Sequence, residues 1–168
     1  MKNLTLLEAI SPATEALMKG RALLTVGGEK PNTMTIGWGF IGYTWNKPVF
    51  MVVVRKQRHT HDILRNEGEF TVSMALDDSL KEQFAYAGTK SGKDEDKFTG
   101  HGLTAVPARK VNAPIVKECT LHFEMKTKLV QEMTEDNMDE DVMNRCYPLK
   151  DYHTMVFGEI VDIYTTEE

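Results

Sequence analysis

The most informative stretch of this chain reads Lys30-Pro-Asn-Thr-Met-Thr-Ile-Gly-Trp-Gly-Phe40 and continues to Arg55-Lys-Gln-Arg-His-Thr60. Small polar residues stand beside apolar ones in its first part, which suits a strand facing a flat, polar-edged ligand better than a plain core strand. The second part sets arginines and a threonine where a strand gives way to a helix, a favourable place for a phosphate. A ring-binding strand followed by a phosphate-binding corner predicts a nucleotide-like cofactor.

Arg55 and Arg58 are the candidate phosphate ligands of this corner. Arginine presents a planar fork of donors that matches phosphate oxygens, and Thr60 adds a hydroxyl. A helix that starts near His59 would add free backbone N–H groups and the positive end of its dipole. From spacing alone, a pair of surface arginines bound to nearby acidic residues explains the pattern equally well.

A second basic element is the loop Gly88-Thr-Lys-Ser-Gly-Lys-Asp-Glu-Asp-Lys-Phe98, which combines small residues, hydroxyls and three lysines. Its glycines could bring backbone N–H groups close to an anion. The spacing does not match the GxxxxGK[ST] pattern of P-loops. On composition alone, an ordinary mobile surface loop is the more common explanation.

The rest of the chain predicts a mainly β fold. Strands do not alternate with helices as a doubly wound sheet requires, so we expect a closed antiparallel barrel with inserted short helices. The pattern at 49–54 predicts a strand covered on both faces, and the alternation at 70–74 predicts a half-buried one. The expected strands are 21–26 and 33–41, which form a hairpin, then 49–54, 70–74, 121–126 and 154–164.

Three short helices are predicted between these strands. The first is expected to begin at Ser11-Pro12 and to end before Gly20. The second covers 59–66 and ends before Gly68. The third is capped by an aspartate at 77 or 78 and extends through 87, with a glycine after its end.

Composition limits the class of protein. The 168 residues predict one domain over 1–168, and the net charge of −5 argues against non-specific nucleic-acid binding. Cys119 and Cys146 have no CxxC or zinc-type spacing, so neither a metal site nor a disulfide framework is expected. Residues 1–10 lack a signal-peptide pattern, and no apolar run approaches the roughly 18 residues of a membrane-spanning helix. We therefore expect a cytoplasmic protein with reduced thiols.

Residues 131–151 form an acidic, loop-like stretch. A solvated insertion is the usual explanation for such a charge run. The alternatives are a flap over the active site and an extension that crosses to a second subunit.

No arrangement of nucleophile and base, and no pair of carboxylates, has a spacing that supports hydrolytic catalysis. Trp38 and Trp45 are expected to be core or interface aromatics. His153 could face a ligand, although a lone histidine is more often structural. We therefore predict no catalytic side chain, and an enzyme of this sequence would rely on a cofactor.

Five motifs, taken in order, resemble the flavin reductase-like, FMN-binding split-barrel proteins, in particular their flavoredoxin-type branch. The similarity covers roughly residues 17–164. The chain departs from the family pattern at Lys56-Gln57, where relatives often have Pro-Ser, and at His59, where an aromatic residue is common. The motifs are 32–40, Trp45-Asn-Lys-Pro-Val49, Val54-Arg-Lys-Gln-Arg-His-Thr60, 88–98 and Asp151-Tyr-His-Thr-Met-Val-Phe-Gly-Glu-Ile160.

The resemblance implies a six-stranded antiparallel Greek-key split barrel that forms a homodimer, with FMN near the subunit interface. It also assigns the cofactor-binding residues. The ring would be lined by Asn32, Thr33, Met34 and Thr35, largely through their backbone groups, with Trp38 packed close by. The phosphate ligands would be Arg55, Arg58 and Thr60. The loop residues that contact the cofactor would be Lys90, Ser91 and Lys97.

By resemblance, the chemistry is hydride transfer from NADH or NADPH to flavin, with the protein supplying orientation and electrostatics. Two alternatives stay open. One is an FMN-binding electron carrier that receives electrons from a redox-protein partner, for which the acidic 131–151 stretch would suit docking to a basic surface. The other is a non-redox split-barrel binding module. The sequence carries no dinucleotide fingerprint, so it does not distinguish NADH from NADPH.

Overall fold

A computed structural model describes residues 1–166 of the chain. Over these residues the protein is mainly β, with ten strands and four α-helices. The strands are β1 Lys2–Asn3, β2 Ala22–Val26, β3 Asn32–Ile36, β4 Gly39–Thr44, β5 Lys47–Arg55, β6 Glu69–Met74, β7 Ala105–Val106, β8 Ile115–Val116, β9 Leu121–Glu132 and β10 His153–Thr165. The helices are α1 Leu6–Met18, α2 His59–Glu67, α3 Lys81–Thr89 and α4 Glu140–Cys146, with a 3-10 turn at Glu135–Asn137.

Eight strands form one antiparallel sheet in the order β3-β2-β6-β9-β10-β5-β4, with β1 paired to β10. The end strands β3 and β4 follow each other in the chain but are not paired with each other. Helix α1 contributes Ala13 and Leu17 to the same core as Ile36 of β3 and Ile41 of β4. The sheet therefore wraps around one core as a barrel that is split between β3 and β4.

The prediction of a single strand over 33–41 is wrong. Strand β3 ends at Ile36 and β4 begins at Gly39, so Gly37 and Trp38 form a break at the split. Gly39 lies so close to β5 that a Cβ there would be 2.6 Å from the Met51 carbonyl oxygen. This break and the two-residue β1 account for the eight strands found in the sheet where six were expected.

Helix α1 begins six residues before the predicted start. Thr5 caps it instead of Ser11, because its hydroxyl accepts from the Glu8 N–H at 3.3 Å while the Glu8 carboxylate accepts from the Thr5 N–H at 2.7 Å. Pro12 consequently lies inside the helix rather than at its first position. The end before Gly20 is as predicted.

The other two predicted helices had different outcomes. Helix α2 matches its prediction and ends at Gly68, which has the left-handed φ of +67° that glycine favours. Helix α3 was predicted wrongly at both ends, because it starts at Lys81 and includes Gly88. Asp77 instead accepts hydrogen bonds from the backbone and hydroxyl of Ser79 before the helix begins.

Strand β6 is buried on both faces, so the prediction of a half-buried strand is wrong. Its polar side chains are satisfied by the segment 103–119, which crosses the outer face of the sheet. Thr71 donates to the Pro114 carbonyl at 2.6 Å, and Ser73 accepts from the Val116 N–H at 3.1 Å. This segment and α3 enclose a second hydrophobic core around Leu23.

None of the helices in residues 1–166 has the length and the apolar character needed to cross a membrane. Both cysteines are free thiols, with Cys119 buried and Cys146 partly exposed.

Candidate functional site

Two adjoining clefts open where the barrel is split. The first, here called the strand cleft, has a volume of about 210 Å³ and is lined by residues 34–38 together with Val53, Arg55, Arg58 and His153. The second, here called the loop cleft, has a volume of about 110 Å³ and is lined by Asn32, Met34, residues 57–60, residues 89–92 and Lys97. Met34 and Arg58 line both, so the two clefts form one continuous site.

The base of the loop cleft joins β3 to the start of α2. The Asn32 side-chain amide donates to the Thr60 hydroxyl oxygen at 2.8 Å, and both residues are buried. Gly92 closes over this pair so tightly that a Cβ on it would overlap the Asn32 amide oxygen and lie 3.0 Å from Cδ2 of His59. The cleft therefore requires glycine at position 92.

The loop cleft contains two cations that form no ion pair with a carboxylate of residues 1–166. Lys97 is only 4% exposed, and its Nζ donates to the Ala87 carbonyl at 2.8 Å. Burial, reinforced by the nearby Arg58 guanidinium, lowers the pKa of Lys97 to about 8. Arg58 is exposed and makes only a long contact of 3.4 Å to the Gly88 carbonyl. Within residues 1–166, neither cation forms an ion pair with a carboxylate, so the cleft has unneutralised positive charge.

The N-terminus of α2, with the positive end of its helix dipole, lies at the same loop cleft. The helix begins at His59 with Arg58 as its N-cap, and no side chain caps its first N–H groups. Those groups and the positive end of the helix dipole favour an anion. Of the residues that depart from the family pattern, Gln57 and His59 also line this cleft, whereas Lys56 does not.

The two remaining predicted loop residues, Lys90 and Ser91, line the cleft but also interact with other residues of the loop. Lys90 lines the cleft but is half-exposed and lies 3.6 Å from the Glu95 carboxylate. The Ser91 hydroxyl accepts from the Lys93 N–H at 3.2 Å, which shapes the turn that carries Gly92. Residues 89–92 of this loop thus form part of the lining of the cleft.

Arg55 lies in the strand cleft, not in the loop cleft where Thr60 lies. Its guanidinium pairs with the Asp151 carboxylate, donates to the Cys146 carbonyl at 3.2 Å and packs over the Tyr147 ring. The ion pair holds the pKa of Asp151 below its usual range. The positive charge of Arg55 is thus largely neutralised within the chain.

His153 forms the wall of the strand cleft opposite β3. It pairs with Arg55 in the β5–β10 ladder, and its ring centroid lies 5.3 Å from that of Trp38. Its Nδ1 lies 2.8 Å from the Tyr147 hydroxyl oxygen. Burial and the nearby Arg55 lower the pKa of His153 to about 4, so the imidazole is neutral near pH 7.

The hydroxyls of the two threonines of β3 donate to backbone carbonyls of neighbouring elements. Thr33 donates to the Leu24 carbonyl at 3.2 Å and lines neither cleft. Thr35 donates to the Phe84 carbonyl of α3 at 2.6 Å and is part of the lining of the strand cleft. Any contact of Thr33 with a ligand therefore has to come from its backbone.

The acidic stretch 131–151 is not merely a solvated insertion. It contains the end of β9, the 3-10 turn and α4, and its residues 146–151 pack on Arg55 and His153 beside the strand cleft. Tyr147 and Asp151 are site residues that the sequence did not identify. The only signal available was that Asp151 begins the motif that contains His153 and that Tyr147 precedes this motif by four residues.

Comparison with known proteins agrees with this architecture. The model of the family described as "Flavin reductase like domain" matches residues 15–168. The flavoredoxin of Desulfovibrio vulgaris (Miyazaki F) superposes with a TM-score of 0.69 at 28% identity, over 88% of this chain and 69% of that one. An NADH:FAD oxidoreductase of Streptomyces globisporus gives 0.68 at 20%, over 87% and 75%. An FMN-binding protein from Thermus thermophilus gives 0.66 at 21%, over 86% and 68%.

These similarities confirm the predicted mainly β split-barrel class. Because the family model extends over nearly all of the chain, this protein belongs to the flavin reductase-like family.

Proposed function

We propose that this chain binds FMN across both clefts and uses it to accept a hydride from NADH or NADPH. In this proposal the loop cleft holds the phosphate and the strand cleft holds the isoalloxazine ring. The observation that carries it is the pair of unneutralised cations, Arg58 and Lys97, at one end of a site whose other end is apolar and aromatic.

The charge of the loop cleft fits a phosphate monoester. Two cations and an uncapped helix N-terminus match the charge of about −1.5 to −2 that such a group has near pH 7. Because the Thr60 oxygen already accepts from Asn32, its own O–H is free to donate to a phosphate oxygen. Lys90 adds a further positive charge at the rim.

The strand cleft suits a flat ring with a polar edge. Met34, Ile36 and Val53 provide apolar contact, and Trp38 adds an aromatic wall. Strand β3 pairs with β2 along one edge only, and in the part of the chain that the structure describes its other edge pairs with no strand. The backbone N–H and C=O groups on that edge are therefore available to the polar atoms of a ring.

FMN, when bound, would supply the redox chemistry itself. The chain would bind the phosphate through Arg58 and Lys97, orient the ring against β3, and shield it with Trp38. His153 would stay neutral beside the ring and could donate or accept one hydrogen bond, with no acid–base step assigned to it.

A second candidate is an electron carrier that receives electrons from a protein partner. The 28% identity to a flavoredoxin favours it. Such a carrier would bind FMN but would oxidise nicotinamide nucleotides slowly. A non-redox binding module would not take up flavin at all.

The test is the absorbance spectrum of the purified chain after incubation with FMN, followed by anaerobic addition of NADH and then NADPH. We expect a yellow 1:1 complex that is bleached by at least one of the two nucleotides. A yellow protein that neither nucleotide bleaches, but that a chemical reductant does, supports the carrier. A chain that stays colourless contradicts flavin binding.

We further propose that the chain forms a homodimer through the outer face of β4, β5, β10 and β9. Phe40, Met51, Phe157 and Leu129 stand side by side across these four strands. Phe40 is 53% exposed, and Trp45, whose ring stacks edge-on against Phe157, is 52% exposed. An apolar row of this extent on a sheet face is typical of an interface, and a second copy would bury it symmetrically.

The dimer is tested by the mass of the chain in solution, for example by light scattering during gel filtration. We expect twice the chain mass for the wild type and a monomer for Phe40→Glu. Leu7→Glu is the matched control, because Leu7 is 83% exposed and belongs to α1, which is not one of these four strands. A wild-type monomer, or an equal effect of the two substitutions, contradicts the proposed interface.

A further inference from the structure

We infer that Tyr147 is a positioning residue that fixes the tautomer of His153, so that its imidazole presents an Nε2–H donor to the strand cleft. The consequence for the reaction rests on the proposed function, because the acceptor would be a carbonyl on a ring bound in that cleft. The tautomer itself is a property of the chain alone.

The hydroxyl of Tyr147 has two neighbours. It lies 2.8 Å from Nδ1 of His153 and 3.3 Å from Sδ of Met133. An imidazole nitrogen is a much stronger acceptor than a thioether sulfur. Burial raises the pKa of Tyr147, so the hydroxyl keeps its proton and donates it to His153. The proton of the neutral imidazole is therefore on Nε2.

The second ring nitrogen faces the cleft. Within residues 1–166, Nε2 of His153 makes no hydrogen bond, and it is not among the fully buried side-chain atoms that lack a partner. The residue is mostly buried but lines the strand cleft beside Trp38. The exposed part of its ring therefore opens into that cleft.

Burial, and after it the charged groups around His153, keep the imidazole neutral. These charged groups are Arg55 on β5 and Arg58 before α2, which oppose protonation, and Asp151, which favours it. The Asp151 carboxylate is occupied by Arg55, so the positive charges dominate. Tyr147 also supports the Arg55 guanidinium with the face of its ring, 5.4 Å from centroid to Cζ. Tyr147, a residue of the acidic stretch, thus contacts both Arg55 and His153, which line the strand cleft.

The experiment is a ¹⁵N NMR spectrum of the imidazole groups in the full, flavin-free chain, with His153 assigned by its loss in His153→Gln. We expect His153 in the wild type to be a neutral Nε2–H tautomer between pH 6 and 8. In Tyr147→Phe, the unsupported Nδ1 should give a mixture of tautomers and a higher pKa, because a donor to the neutral form has been removed.

Tyr152→Phe is the matched control. Tyr152 is next to Tyr147 in space, but its hydroxyl donates to the Glu135 carboxylate at 3.0 Å. Its removal should leave the His153 spectrum unchanged. A wild-type His153 with its proton on Nδ1 would overturn the inference without any variant. So would an unchanged spectrum in Tyr147→Phe, or an equal change in the control.

A second readout links the tautomer to the reaction. In chain loaded with FMN, Tyr147→Phe should slow flavin reduction by NADH or NADPH about threefold to tenfold, the value of one neutral hydrogen bond, with FMN affinity retained. A rate equal to that of Tyr152→Phe would contradict the proposed use of the donor. A wild-type chain that takes up no FMN contradicts the proposed function instead, and leaves the tautomer measurement to be judged separately.

Discussion

The loop cleft and the strand cleft share Met34 and Arg58 but handle charge in opposite ways. In the loop cleft, the hydrogen bonds that Lys97 and Arg58 donate within the described part of the chain go to backbone carbonyls. In the strand cleft, Arg55 is paired with Asp151, and His153 is held neutral beside Tyr147. A buried charge without a partner is costly, whereas a paired one is balanced. The loop cleft thus favours an anionic ligand group, and the strand cleft favours a neutral one.

The largest expected effect comes from removing both free cations. Arg58→Ala combined with Lys97→Met should weaken FMN binding by about a hundredfold or more, since each charge-assisted contact contributes about 1.5–3 kcal/mol. Binding of riboflavin, which lacks the phosphate, should change little. Titration of the two flavins, followed by quenching of flavin fluorescence, measures both affinities.

The matched control for this pair is Arg65→Ala with Lys93→Met. Both residues are exposed cations on α2 and the loop, and neither lines a cleft. An equal loss of FMN affinity in the control would mean that general electrostatics, rather than the two cleft residues, binds the phosphate.

A substitution that only fills space should have the next largest effect. Gly92→Ala should lower FMN affinity by roughly tenfold, because the new methyl displaces Asn32 and so disturbs Thr60. Gly42→Ala is the control, since a Cβ at Gly42 would meet no atom within 4 Å. If both variants bind FMN like the wild type, the loop cleft does not contain the phosphate.

The pH dependence of binding provides a third comparison. Lys97 has a pKa of about 8 in the folded chain against 10.5 for the ordinary group, so the unfolded chain binds more protons between these values. Its contribution therefore makes the folded, ligand-free chain more stable as pH rises through this window. A phosphate beside Lys97 favours the charged form, so FMN binding should take up a proton near pH 8.5.

Calorimetry in two buffers of different ionisation enthalpy measures this uptake. We expect a fraction of a proton, up to one, for FMN, and none for riboflavin or for Lys97→Met. FMN affinity should also fall between pH 8 and 10. Equal proton uptake with FMN and riboflavin would mean that the phosphate is not what causes Lys97 to take up the proton.

The smallest effect is expected from removing Arg55, the cation that is paired with a carboxylate. Arg55→Ala should change the ratio of FMN to riboflavin affinity by less than about threefold, because its charge is already paired with Asp151 and is screened at the surface of the cleft. The same titrations measure it. A loss as large as that of Arg58→Ala would remove the contrast between the two clefts and restore Arg55 as a phosphate ligand.

The predicted cationic and hydroxyl residues of the loop cleft lie in two short segments, whereas those around Arg55 in the strand cleft are far apart in the chain. Arg58 and Thr60 are neighbours, and Lys90, Ser91 and Lys97 share one loop, but only the family resemblance joined the two segments into one predicted site. The partners of Arg55 come from 91 and 96 residues further along the chain. Such pairings depend on which strands become neighbours in the folded sheet, and local spacing along the chain does not indicate this.

The fold errors have a similar origin. Alternation identified β6 and β9, but not the segment 103–119 that buries Thr71 and Ser73 by hydrogen bonding to them. Polar residues that are satisfied in this way look like a solvent-facing row in the sequence. The break at Gly37 and Trp38 was missed because apolar residues continue through it, and the close approach to β5 that requires glycine at position 39 is visible only in the folded chain.

The most direct test of the two-cleft site is the affinity of the wild-type chain for FMN compared with riboflavin, at pH 7 and moderate salt. The unneutralised cations predict one FMN bound per chain, about a hundredfold or more tighter than riboflavin. Equal affinities for the two flavins, or no binding of either, would contradict a phosphate site at Arg58 and Lys97.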